Sequence, residues 1–147
     1  MASAMLAAQR SKDPNTQVGA CIVNPQGIIV ATGYNGFPRG CDDDVFPWTR
    51  AAENTLDTKY PYVVHAEVNA ILNRNIAYLH DCTIYNTLFP CNECTKNIIQ
   101  AGITKVIYFG DKYHDTDASK AARRMLDAAQ VAYKPYQGEL KGVKLVF

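Results

Sequence analysis

The sequence predicts a three-layer α/β/α fold built on a mixed five-stranded sheet, and three observations carry that expectation. Two β-rich runs near the start are joined by a tight-turn signal. From Thr83 onward, strand and helix patterns alternate strictly. The chain has 147 residues, 48% of them hydrophobic, which suits one domain (1–147) with its own core.

The opening MASAMLAAQRS is rich in helix formers and ends before Asp13-Pro14, where proline restricts the residue preceding it. Val18 to Asn24 and Gly27 to Gly33 read as strands. Between them, Asn24-Pro25-Gln26-Gly27 suits a type I turn, so the pair forms a hairpin. Tyr34 to Tyr62 is irregular and rich in Gly, Pro and Asp, with a short helix expected near Thr49 to Leu56. Irregular segments this long are often functional. A helix then reads from His65 to Arg74, a strand from Thr83 to Phe89 and a helix from Cys91 to Ala101. A strand at Lys105 to Gly110, a helix at Ala118 to Ala129 and a strand at Val131 to Lys134 complete the alternation, which implies right-handed crossovers and three parallel strands. The last run, GVKLVF, fits either an edge strand or a docked tail.

The formal net charge is +1, and the densest basic cluster, Lys120 with Arg123 and Arg124, lies on a helical pattern as a solvated face. Neither feature suits a polynucleotide partner. No apolar run reaches the length of a membrane span, and no charged segment precedes the apolar start as in a signal peptide. The expected setting is therefore cytoplasmic. In a reducing compartment, Cys21, Cys41, Cys82, Cys91 and Cys94 are thiols or metal ligands rather than disulfides.

Two ionisable residues interrupt the apolar stretch YVVHAEVNAIL, Tyr62 to Leu72. Burying charges there without partners is costly. A metal resolves the cost if further ligands exist, and Phe89-Pro90-Cys91-Asn92-Glu93-Cys94 offers them at the start of the next helix. Cysteines three apart share a helix face, and a helix N-terminus favours thiolates. His65, Cys91 and Cys94 make three zinc ligands, leaving a fourth position for water and freeing Glu67 to act as a base beside it. Taken singly, each motif has a plainer reading. The CxxC pair also resembles a redox dithiol, and a non-catalytic zinc module would close its site with Cys82 or His80. The combination H-x-E with P-C-x-x-C is more specific, being the signature of zinc deaminases acting on cytosine or adenine.

Further stretches narrow the resemblance. RSKDPN (Arg10 to Asn15), GYNG (Gly33 to Gly36), GCDD (Gly40 to Asp43) and DKYHD (Asp111 to Asp115), together with the zinc motifs, resemble the deoxycytidylate (dCMP) deaminase branch of the cytidine deaminase-like superfamily. The likeness runs from about Gln9 to about Val131. It implies hydrolysis of dCMP to dUMP and ammonia, with Glu67 moving the protons. It also implies that Asn35 bonds the deoxyribose hydroxyl, that Tyr113 packs near the base, and that Lys12 and Asn15 approach the phosphate. Plainer readings make Asn35 a turn residue and Tyr113 a half-buried aromatic. The resemblance further implies a homohexamer, activated by dCTP and inhibited by dTTP, with Gly36, Gly40, Asp42 and Asp43 at the effector site. The acidic pair there suits Mg2+ held with a triphosphate, or is simply a solvated loop. Acceptance of dCTP as a second substrate is the nearest alternative.

Overall fold

The computed structural model describes residues 1–140, so the GVKLVF expectation lies outside the described residues. The Ala-rich start forms α1, Ala2–Ala8, as alanine's low entropic cost favours. It stops short of the expected Ser11. The N–H groups of Gln9, Arg10 and Ser11 turn back to the carbonyls of Leu6, Ala7 and Ala8, tightening the last turn.

The expected hairpin is present as β1 (Gly19–Val23) and β2 (Ile29–Tyr34). Its turn closes through the Gly27 N–H on the Asn24 carbonyl at 2.9 Å, and the Asn24 side chain accepts from the N–H groups of Gln26 and Ile28. Gly27 takes φ +83°, a conformation that disfavours any residue with a Cβ. After α2 (Ala66–Leu72), the alternation runs β3 (Thr83–Leu88), α3 (Asn92–Gln100), β4 (Lys105–Gly110), α4 (Asp117–Ala128) and β5 (Ala132–Pro135). The sheet order is β2-β1-β3-β4-β5. β1 runs antiparallel to both β2 and β3, whereas β3, β4 and β5 are parallel. This is the mixed sheet expected from the sequence.

Small residues set the layers. A Cβ at Gly19 would lie 1.9 Å from the Ala4 carbonyl oxygen of α1. On the neighbouring strand, a Cβ at Gly33 would lie 2.4 Å from the Ala66 oxygen and 2.3 Å from the Ala70 nitrogen of α2. Gly33 pairs with Ala20, next to Gly19, and successive strand residues face opposite ways. The two helices therefore cover opposite faces of the hairpin. α3 and α4 join α2 on its face, where Ile22, Ile84, Val106, Ile98 and Leu126 form the fully buried centre.

The helix expected near Thr49 to Leu56 is reduced to one 3₁₀ turn, Thr55–Asp57. Asn54 caps the Leu56 N–H with its side chain at 3.0 Å, a local bond that competes with helix propagation. Aromatic packing fixes the rest of the segment. Phe37 stacks on Trp48 with centroids 4.1 Å apart, and Phe46 meets Tyr62 edge-on at 5.1 Å. Gly36 then pairs with Val64 through bonds of 3.0 and 2.8 Å, returning the chain to the start of α2. Among the described residues, no helix is long and apolar enough to cross a membrane.

The close approach at Gly33 gives a direct test. Gly33→Ala should lower stability by about 1–3 kcal/mol, because the backbone of α2 must shift to admit the methyl group. Gly36→Ala, whose Cβ would meet nothing within 4 Å, should stay within about 0.5 kcal/mol of the parent. Urea unfolding of both variants separates the two outcomes.

Candidate active site

Two helix starts meet at one point. His65 precedes α2 in an extended conformation (φ −73°, ψ 157°), and Cys91 precedes α3 in another (φ −70°, ψ 171°). Because His65 is not yet helical, it and Glu67 are free of the divergence that two helical positions two apart would show, and both line one cavity. His65 Nδ1 lies 3.5 Å from Cys91 Sγ and 3.3 Å from Cys94 Sγ. All three donor atoms fall within 4.8 Å of one another. A tetrahedral zinc, at about 2.3 Å from sulfur and about 2.0 Å from nitrogen, separates such donors by about 3.5 Å. The donor set therefore fits zinc in chemistry and in spacing.

The thiols already interact as a pair. Cys91 is pulled down to about 4, chiefly by its hydrogen bond with Cys94, with His65 assisting against the cost of burial. Cys94 is pushed up by the same contact and by burial, so the pair titrates as a unit. Among the described residues, no other three His, Cys, Asp or Glu side chains form such a cluster. Cys82 is buried in the core and His80 packs beside Tyr78 at 5.7 Å, so neither supplies a fourth ligand.

Glu67 is only 4% exposed. Burial raises its carboxyl above the ordinary range, and His65 nearby offsets part of that rise. A raised carboxyl exchanges protons more readily near neutral pH. The cavity it lines has a volume of about 320 Å³, within the range of small-ligand pockets. It opens where β3 and β4 end and β1 begins. Val63, Leu88 and Phe89 give it apolar walls, and Asn35, Arg50 and Tyr113 add polar groups.

The other expected residues divide by position. Asn35 and Tyr113 line the cavity. Lys12 and Asn15 border a shallow depression beside it instead. Lys12 pairs with Asp43 at 3.2 Å, and Asn15 donates to the Trp48 carbonyl at 3.2 Å. In the Gly36 to Asp43 loop, Gly40 takes φ +85° and Asp42 accepts from the Asp44 N–H at 2.8 Å. Neither acidic residue of that loop lines the cavity.

Several cavity residues had not been singled out from the sequence. Lys59 forms a buried ion pair with Asp13, their side chains 10% and 1% exposed. Arg123, read from the sequence as part of a solvated face, is instead half-buried behind the cavity wall, 3.9 Å over the Phe89 ring and paired with Asp111 and Ser119. Arg50 reaches the Tyr60 hydroxyl at 3.3 Å. A lysine beside the aromatic run YPYVV was the available signal for Lys59.

Comparison with known proteins converges on one family. Residues 1–110 match the model of the cytidine and deoxycytidylate deaminase zinc-binding region. The chain is 61% identical to the deoxycytidylate deaminase of Homo sapiens over 136 residues, covering 92% of this chain and 76% of that protein. It is 55% identical over 152 residues to a probable deoxycytidylate deaminase of Drosophila melanogaster, covering all of this chain and 75% of that one. In structure it resembles the dCMP deaminase of cyanophage S-TIM5 in complex with dCMP and dUMP, with a TM-score of 0.71 at 30% identity and 92% coverage of each chain.

The donor cluster predicts a stoichiometry. The purified chain should carry one zinc per protomer by elemental analysis. His65→Ala, Cys91→Ser and Cys94→Ser should each lose most of it after dialysis against a mild chelator, because two ligands cannot hold the ion as three do.

Proposed function

The chain belongs to the cytidine and deoxycytidylate deaminase family, as a zinc-dependent hydrolytic deaminase, and we propose that its substrate is dCMP, converted to dUMP and ammonia. The observation that carries the reading is Glu67, buried beside a three-ligand donor set that opens into a nucleotide-sized cavity. His65, Cys91 and Cys94 hold the zinc. Bound there, zinc would supply Lewis acidity, lowering the pKa of a water towards about 7.

The chain's own groups do the rest. Glu67 takes a proton from the water as the water oxygen bonds to C4 of the cytosine ring, and delivers it to the adjacent ring nitrogen. It then carries the second proton to the amino group, the C4–N bond breaks, and ammonia leaves. The apolar walls at Val63 and Phe89 keep bulk water from the ring. Asn35 bonds the sugar hydroxyl and Tyr113 covers the base. Arg50, rather than Lys12 or Asn15, takes the 5′-phosphate, being a cation on the cavity wall without an acidic partner among the described residues. One such cation suits a monophosphate better than a triphosphate, which favours dCMP over dCTP as substrate.

Regulation completes the proposal. dCTP activates and dTTP inhibits, through a triphosphate bound with Mg2+ near Gly36, Gly40, Asp42 and Asp43. What supports this is the loop's attachment to the cavity. Asp43 pairs with Lys12, next to Asp13, and Phe37 stacks on Trp48, two residues before Arg50. We place the enzyme in the cytoplasm as a homohexamer of one-domain chains (1–147). Its described cysteines are all free, and Val45, Leu72, Tyr78 and Phe109 leave apolar surface exposed for contacts between copies.

Ammonia release from dCMP, dCTP and deoxycytidine, each with and without dTTP, tests the reading. dCMP should be turned over fastest, and dTTP should suppress it. Glu67→Gln should keep its zinc while losing roughly 10²–10⁴-fold or more in turnover. Substantial activity in that zinc-loaded variant would sink the assigned role.

A further inference from the structure

Two cations border the exposed rim of the cavity with no acidic group to answer them. Lys112 follows the end of β4 and is exposed. Its ammonium lies 3.4 Å from Thr16 Oγ1 and 5.0 Å from the centre of the Tyr113 ring. Arg50 comes from the loop between Gly36 and Val64 and reaches the Tyr60 hydroxyl at 3.3 Å. Thr16, Arg50, Tyr60 and Tyr113 all line the cavity. Burial works to raise the Tyr113 hydroxyl, but Lys112 first and Arg50 after it hold it below the ordinary phenol range. Both positive charges therefore bear on one phenol.

Like charges gathered at one place repel unless an anion joins them, and a cleft edged by one sign of charge draws the opposite sign. Neither Lys112 nor Arg50 has an acidic partner among the described residues. The nearest carboxylates in sequence to Thr16 and Lys112 are committed elsewhere, Asp13 to Lys59 and Asp111 to Arg123. The donors, by contrast, are largely unspent. An ammonium has three hydrogens, and Thr16 takes one of them through a long bond. Because Thr16 Oγ1 accepts there, its own hydroxyl hydrogen can be given to a ligand. Arg50 meets Tyr60 through Nε, which leaves its terminal nitrogens available to an anion.

We infer that Lys112, with the Thr16 hydroxyl, forms the second half of a phosphate clamp whose first half is Arg50, and that Lys112 sets the preference for a nucleotide over a nucleoside. A phosphate monoester near neutral pH carries about −1.5 to −2 charge, which two cations match. The inference rests on the proposed contact between Arg50 and the 5′-phosphate. It goes beyond that contact in assigning nucleotide specificity to a residue at the rim, outside the cavity lining.

The test compares kcat/KM for dCMP and for deoxycytidine, which lacks the phosphate, on the zinc-loaded full chain at low and high salt. Lys112→Gln should lower the value for dCMP about tenfold, as loss of a charge-assisted bond does, and mainly through KM. Deoxycytidine should be unaffected, and the loss on dCMP should shrink as salt screens the charges. Lys112→Arg should keep most of the preference. Where deoxycytidine is turned over too slowly to follow, its inhibition constant against dCMP takes its place. An equal fall on both compounds in Lys112→Gln would mean that the side chain only braces its loop, and would overturn the inference. So would an unchanged value for dCMP, while a loss on dCMP alone in Arg50→Gln would leave the Arg50 reading intact. No selective loss in Arg50→Gln would overturn the Arg50 reading, and this inference with it.

Discussion

The approach of one imidazole nitrogen to two sulfurs, at 3.3 and 3.5 Å, depends on elements that come from separate parts of the chain. α2 lies where Gly33 lets it rest on β2. α3 lies where the crossover from β3 to β4 carries it. The distance between the two helix starts is therefore set by how the hairpin docks on the parallel strands, in the register Ala20↔Asn86 and Ile22↔Ile84. A slip of one residue there would displace the hairpin by about 3.3 Å and turn Ala20 and Ile22 to the wrong face. The buried centre that excludes such a slip also brings the donor atoms together.

Two ion pairs hold the cavity's walls. Lys59 with Asp13 fixes the loop before β1, and Arg123 with Asp111 ties the end of β4 to α4 while covering the Phe89 ring. Burial works to raise the Asp13 pKa, but Lys59, then the backbone N–H groups of Asn15 and Thr16, hold it below the usual carboxylate range. Removing two charges from water offsets much of what their attraction returns, so such pairs add little net stability. Their contribution here is geometric. Each touches a group that lines the cavity, the Asn35 amide in one case and the Phe89 ring in the other.

The cluster of His65, Cys91 and Cys94, with Glu67 lining the same cavity, was legible because its pattern is local. H-x-E and P-C-x-x-C each place their groups on a single helix start, and only the distance between the starts needed the fold. The strand order followed from the alternation for a similar reason, with right-handed crossovers leaving few topologies. Lys59 was not legible, since its partner is 46 residues away and nothing local says that Asp13 turns inward while Lys12 and Asn15 turn out. The same inward–outward pattern sets Lys12 and Asn15 in the depression beside the cavity rather than in its lining. The helix near Thr49 was lost to the Asn54 cap and to aromatic contacts from Phe37 and Phe46, which no short window of sequence contains.

The bare Cα atoms at Gly19 and Gly33 leave α1 and α2 in direct backbone contact with the hairpin. A frame with no slack transmits any change at its seams to the metal ligands, so its tolerance of mutation is low. The loops at Gly36 to Val64 and Asp111 to Thr116 carry Arg50, Lys59 and Tyr113 outside those seams. Directed evolution of substrate range would therefore find its productive variants in these two loops, with the sheet and its helices serving as an invariant chassis.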